Sequence, residues 1–364
     1  QSEQPVIRKK AICALTCCCL RSLESARQHM LLLLQAAHID VDEVRITSIS
    51  SVVDLLMKFG LASFITAEEP APLDRSGDSL TKAGENSIDN AMDSELAGRG
   101  ATLTQSELNL QGGNSVVAIL SKFLDEPNLE VRTEVVEGLC KLLTTGSISS
   151  PKLLSRLLLI WYNPMTESDS MLRHILGTFF PIYCSLSVGN QTAMQETFIP
   201  TMRTIFQAPV TSPLAEIDTE DVGMFFVHLT RPEMLQAFDR EKEGSESSTA
   251  APHDSLALQV CNQILSVPDG SQTKVMIKIL SSLSLTYNNF VQLRVLKVLS
   301  ENLLRTVKER NLVKSLQKFD KQLKDWLEKE PTQENGGASK RKNEDSEDDA
   351  IVERSLSPSR GRKR

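Results

Sequence analysis

The sequence predicts an all-α chain assembled as a stack of helix pairs, and three observations predict it. Apolar residues recur at helical spacings, as in Val131, Val135, Leu139 and Leu142, which share one face of a helix and do not fit a strand period of two. The hydrophobic fraction of 40% is chiefly Leu, Ile, Val and Met, with three Tyr and two Trp in 364 residues, a composition suited to packed helices. A short pattern also returns: Asp42-Glu43-Val44-Arg45 and Leu129-Glu130-Val131-Arg132 share the acidic residue, the valine and the arginine, and an aliphatic-Arg pair recurs at Leu172-Arg173 and Leu293-Arg294. Arg132 to Arg173 is 41 residues, inside the spacing of about 40 to 47 found for HEAT and armadillo helical repeats. The expected fold is therefore a HEAT-repeat α-solenoid carrying disordered insertions and a disordered C-terminal tail.

Taken in order, residues 6–20 and 26–37 read as a first helix pair, and Asp42 opens a third helix through Ile49, Val52, Leu56 and Phe59 that stops at Gly60. Residues 66–113 lack apolar periodicity and are rich in Glu, Asp, Ser, Asn and Gly, so a disordered insertion is expected. Arg45 to Arg132 is 87 residues, and taking out those 48 leaves 39, close to one repeat. The next helix starts at Pro127-Asn128 and breaks at Thr144 to Ser147; Ser150-Pro151 then supplies an N-cap and a first-turn proline. The helix that follows carries Leu153, Leu154, Leu157, Leu158, Ile160 and Trp161, and needs neighbours on more than one side.

Phe179-Phe180-Pro181, Phe198-Ile199-Pro200 and Arg231-Pro232 are expected at inter-helix corners, because proline bends or ends a helix. A second polar insertion covers 239–253, so the 121 residues from Arg173 to Arg294 hold two or three repeats. The last helices are expected at 255–266, 272–286, 290–307 and 309–328, followed by a charged tail. In domain terms, 1–65, 114–238 and 254–329 are HEAT-like helices, the last with a basic stripe, while 66–113, 239–253 and 330–364 are expected to be disordered.

Enzyme chemistry has no anchor. No phosphate-binding Gly-rich loop, dinucleotide turn, nucleophile elbow or zinc-binding His pair occurs, so no catalytic residue and no cofactor is assigned. The five His are scattered, and His174 reads as a helix-surface or satisfied core residue. Four of the seven Cys crowd at Cys13, Cys17, Cys18 and Cys19; without further ligands at metal spacing they read as packing residues of the first helix. No apolar run approaches the roughly 20 residues of a membrane helix, and no signal sequence opens the chain. A soluble intracellular protein is expected, and the opening Gln1 suggests the C-terminal part of something longer.

A formal charge of −7 confines any nucleic-acid contact to a local patch. The candidate is the run Arg294, Lys297, Arg305, Lys308, Arg310, Lys314, Lys318, Lys321 and Lys324, in which Lys314, Lys318 and Lys321 share a helix face. Such a stripe suits duplex phosphates, where cations release counterions and no base is read. Glu301, Glu309, Asp320, Asp325 and Glu328 interleave with it, so an ordinary solvated helix face explains the same residues. Arg8-Lys9-Lys10 is poorly placed for the helix dipole unless it serves a partner. In the tail, Lys340-Arg341-Lys342 and Arg360 to Arg364 suit nuclear import or loose nucleic-acid contact, or simply solubility. Ser357-Pro358-Ser359-Arg360 fits a proline-directed phosphorylation site at Ser357.

The stretches Leu129 to Leu143, Pro151-Lys152-Leu153-Leu154, Trp161-Tyr162-Asn163-Pro164 and Ser212 to Asp218 closely resemble the G-type HEAT-repeat subunits of condensin. The resemblance covers about residues 6 to 328 and is strongest from Leu124 to Asp218. It implies a non-catalytic α-solenoid that binds the kleisin subunit in its groove and with it grips double-stranded DNA, the SMC ATPase subunits lying elsewhere in the complex. It also implies a role in mitotic chromosome condensation, with residence in the nucleus and on mitotic chromosomes and a cytoplasmic pool in interphase. It favours the DNA reading of the basic stripe, since basic residues of that family's C-terminal lobe line the DNA groove; its N-terminal HEAT lobe is missing here. The alternative is a HEAT-repeat adaptor or transport receptor that binds protein alone.

Overall fold

The computed structural model describes residues 3–64, 113–235, 251–286 and 289–329. Among them are thirteen α-helices and no strand: α1 Pro5–Cys19, α2 Leu23–Ile39, α3 Asp42–Phe59, α4 Gly113–Lys122, α5 Leu129–Thr144, α6 Pro151–Tyr162, α7 Ser170–Leu186, α8 Val188–Phe206, α9 Thr219–Leu229, α10 Pro252–Ser266, α11 Gln272–Ser282, α12 Phe290–Thr306 and α13 Arg310–Leu327. The expected insertions and tail lie almost wholly outside the described residues. The boundaries differ at 113, where α4 already begins, and at Pro252-His253, which open α10.

Side chains close the helix ends as their identities dictate. Asn128 accepts from the N–H groups of Glu130 and Val131, Ser150 from Leu153, Asp169 from Leu172, Ser187 from Asn190, and Asp218 from Glu220 and Asp221. Gly60 ends α3 at φ 77°, a conformation that costs glycine little.

The helices form two layers. The odd-numbered series α3, α5, α7, α9, α11 and α13 packs each helix on the next, as does the even-numbered series α6, α8, α10 and α12, and contacts of α6 with α7, α7 with α8, α8 with α9, α10 with α11 and α12 with α13 join one layer to the other. One continuous core results, running from Cys19 to Leu323. This is the all-α solenoid the repeat spacing predicts. Approach is closest at small residues: a Cβ on Gly138 of α5 would stand 2.5 Å from Val53 Cγ2 of α3.

Three of the recurring arginines reach from consecutive helices of the odd layer to neighbouring turns, each through its own set of contacts. Arg45 donates to the Ala37 carbonyl at the end of the preceding helix and pairs with Glu126 at 2.8 Å. Arg132 pairs with the Asp169 N-cap of α7 at 3.2 Å, and Arg173 donates to the Trp161 carbonyl. Each guanidinium thereby ties its own repeat to a neighbouring turn. Arg294 does not belong to this series, because α12 is in the even layer; a two-residue pattern is too short to fix repeat register by itself.

Other expectations need correction. Pro181 and Pro200 sit inside α7 and α8, and the corner falls between them at Ser187. Leu176, Phe179, Phe180, Tyr183 and Cys184 on α7, with matching residues on α8, are buried on both sides of the prolines, and that packing outweighs a helix-interior proline cost of about 3 kcal/mol. Of the crowded cysteines only Cys19 is buried; Cys13, Cys17 and Cys18 are exposed. Helix α11 ends at Ser282 rather than 286 because the next residues are held differently. Ser284 N–H donates to His253 Nδ1, and Thr286 N–H donates to Asp254 Oδ1. His253 Nε2 in turn donates to the Val227 carbonyl, so the buried imidazole is neutral, and burial lowers its pKa. Arg8 serves the chain itself, pairing with Asp40 at 2.6 Å. Among the described residues no helix is long and apolar enough to cross a membrane.

Candidate nucleic-acid interface

The candidate stripe lies on the last two helices. Leu316, Phe319 and Leu323 are buried against α11 and α12, while Leu312 and Trp326 are half-buried beside them. At 3.6 residues per turn, Arg310, Lys314, Lys318, Lys321 and Lys324 fall within an arc of about 120° on the opposite side. The alternating spacing of the apolar residues thus points the cations to solvent.

The nine predicted residues separate into groups. Arg305 closes α12, Lys308 stands in the turn at 307–309, and Arg310 opens α13; all three are exposed. Together with Lys314, Lys318 and Lys321 they make six exposed cations, none with an acidic partner within ion-pair distance among the described residues. From Arg310 to Lys321 the arc runs about 17 Å along the helix, the length over which one strand of a duplex presents about five phosphates. Lys324 reaches Glu328 at 3.8 Å, and Arg294 is exposed on α12.

Lys297 is placed differently. Its ammonium lies 2.6 Å from Asp320 Oδ1 and 3.4 Å from Glu301, with about a fifth of the side chain exposed. Ser300, fully buried, donates to the same Asp320 oxygen at 2.5 Å. Burial pushes the Asp320 carboxyl up, but the hydrogen bonds from Lys297 and Ser300 prevail and leave it below the usual carboxylate range. Asp320 is thereby turned away from the cationic arc. Of the interleaving acids, Glu309, Asp325 and Glu328 remain exposed near its two ends.

Sequence reasoning missed an apolar feature beside the stripe. Val291, Val295 and Val298 recur at four and three spacing on α12 and are 72%, 47% and 59% exposed. The spacing was legible, but nothing in it told a solvent face from a buried one. Ser357 and the tail's basic clusters lie outside the described residues. No group of three or more His, Cys, Asp or Glu suited to a metal ion occurs among the described residues.

Comparison with known proteins gives a consistent picture. A structural likeness covers 90% of this chain and 38% of a chain in the crystal structure of the S. pombe condensin Cnd3–Cnd2 subcomplex, with a TM-score of 0.65 and 19% identity, a likeness of fold. Condensin complex subunit 3 of Xenopus laevis is 39% identical over 292 residues, which are 79% of this chain and 28% of that protein. Its Homo sapiens counterpart is 37% identical over 322 residues, 88% of this chain and 30% of that protein. The chain thus spans under a third of the length of these relatives. The family model for nuclear condensing complex subunits, C-terminal domain, matches residues 1–285 and stops short of the basic stripe. A match over that much of the chain, joined to the solenoid fold and these relatives, places the protein in the family of condensin complex subunit 3.

Proposed function

We propose that this chain serves a non-catalytic HEAT-repeat subunit of condensin, binding the kleisin subunit and gripping duplex DNA through phosphates for mitotic chromosome condensation. The observation that carries the DNA contact is the set of six cations on and before α13 that have no acidic partner among the described residues, displayed beside a helix whose other face is buried in the core. A rigid row of cations with no base-reading geometry attracts any sequence equally. Kleisin binding draws support from the family and from the Cnd3–Cnd2 subcomplex that shares the fold. The SMC ATPase subunits are reached through the kleisin, and the protein resides in the nucleus and on mitotic chromosomes, with a cytoplasmic pool in interphase. Phosphorylation at Ser357 would add a charge of about −1.5 to −2 beside Arg360 to Arg364 and weaken their attraction to DNA.

The test is DNA binding by the subunit bound to its kleisin segment, measured across salt concentrations. Four to six phosphate contacts give a slope of log K against log salt of about −4 to −5, and reversing Lys314, Lys318 and Lys321 to Glu reduces that slope by about 2.7. Binding that is insensitive to salt and to the triple reversal refutes the assignment. A second reading, an adaptor that grips protein alone, is favoured by the exposed valines of α12, since non-specific phosphate contact gives their methyl groups no role. It predicts that the complex does not retain DNA.

A further inference from the structure

We infer that Lys297 is a positioning residue rather than a phosphate contact, and that with Ser300 and Asp320 it forms a clasp that fixes the exact rotation of α13 and hence the aim of its cationic arc. The DNA arm of this inference rests on the proposed phosphate grip; the clasp itself rests on geometry. Lys297 and Ser300 stand one turn apart on α12, and both meet a single carboxylate oxygen in the second half of α13, at 2.6 and 2.5 Å. Leu316, Phe319 and Leu323 set which face of α13 is buried, but hydrophobic contact is non-directional and leaves the fine rotation of the helix loose. A charge-assisted hydrogen bond joined by a second donor on the same oxygen does not.

The alternatives are penalised on either side. Asp320 is flanked by Phe319 and Lys321, so a slip of one residue sets a phenyl ring against the ammonium or brings two ammonium groups together. Helix α13 also needs outside support at its start. Its N-cap position, Glu309, makes no side-chain capping bond, and Arg310 stands in the first turn against the helix dipole. The clasp has an electrostatic consequence as well, because it neutralises Asp320 and holds it on the α12 side of the helix, leaving the middle of the arc uniformly positive.

The experiment uses the subunit with its kleisin segment and the substitutions Lys297→Met, Lys297→Arg and Asp320→Asn. Backbone hydrogen exchange of α13 is expected to rise about tenfold in K297M and D320N while α10 and α11 are unchanged, and K297R is expected to keep the protection. Unchanged exchange in K297M and D320N overturns the clasp. With short duplex DNA, K297M and D320N are expected to weaken binding several-fold at every salt concentration without changing the salt slope, whereas Lys318→Gln lowers the slope by about 0.9. The opposite signs decide the role. If Lys297 touched phosphate, D320N would free its ammonium and tighten binding, and K297M would lower the slope as K318Q does; either result overturns the inference. If the unsubstituted complex shows no salt-dependent binding, the phosphate grip itself falls, and the exchange measurement alone decides the clasp.

Discussion

Replacing Gly138 by alanine tests how closely the solenoid layers pack. The new Cβ would lie 2.5 Å from Val53 Cγ2 and 3.5 Å from Val53 Cβ. Val53 is 3% exposed and β-branched, so in helix α3 it has essentially one side-chain rotamer and cannot swing aside. Relief therefore requires α3 and α5 to separate, and overpacking of this kind costs about 1–3 kcal/mol. Alanine returns about 1 kcal/mol in helix propensity, so the net loss is about 0–2 kcal/mol. Gly177 in α7 is the control, since its Cβ would meet Trp161 at 3.6 Å, an ordinary contact, and only the propensity gain of about 1 kcal/mol is left. In thermal unfolding followed by circular dichroism, Gly138→Ala lowers the midpoint by up to about 8 °C, whereas Gly177→Ala raises it by about 2–4 °C. A Val53→Ala background removes most of the Gly138→Ala penalty. Equal shifts of the same sign for the two glycines, or a penalty that survives in that background, would show that the α3–α5 contact is not what excludes a side chain.

Gly223→Ala makes a parallel case in which Ile279 of α11 blocks the added methyl, and a similar drop in midpoint is expected. Arg45→Met strips Glu126, Asp42 and the Ala37 carbonyl of a shared donor and costs about 2 kcal/mol in denaturant unfolding, more than Glu126→Gln, which leaves the other two bonds in place. His253 contributes to acid sensitivity. Its folded pKa is lowered, by burial first and by Arg231 among lesser causes, so it contributes stability that is present above its unfolded value of about 6.5 and lost as pH falls below it. Asp254, raised by burial, works in the opposite direction. The stability difference between the native chain and His253→Gln should therefore shrink between about pH 7 and 5, and a constant difference would refute the buried neutral imidazole.

Local chemistry made much of this protein readable from its sequence. A cap acts within three residues, so Asn128, Ser150-Pro151 and Gly60 announced their helix boundaries without tertiary information. Period alone also set the apolar face of α13, because Leu316, Phe319 and Leu323 have to share a side wherever that helix packs. The interface was less legible. Nothing near Lys297 distinguishes it from Lys318 in sequence, and the difference comes from Asp320, 23 residues away and brought opposite only by the packing of α12 on α13. Tertiary packing likewise carried α7 and α8 through Pro181 and Pro200, left Cys13, Cys17 and Cys18 in solvent, and put Arg294 in the layer opposite Arg45, Arg132 and Arg173. Helix identity and amphipathic side follow from interactions within a few residues of chain. Which cations stay free and which prolines are tolerated follow from contacts between distant segments, and those exist only once the layers have stacked.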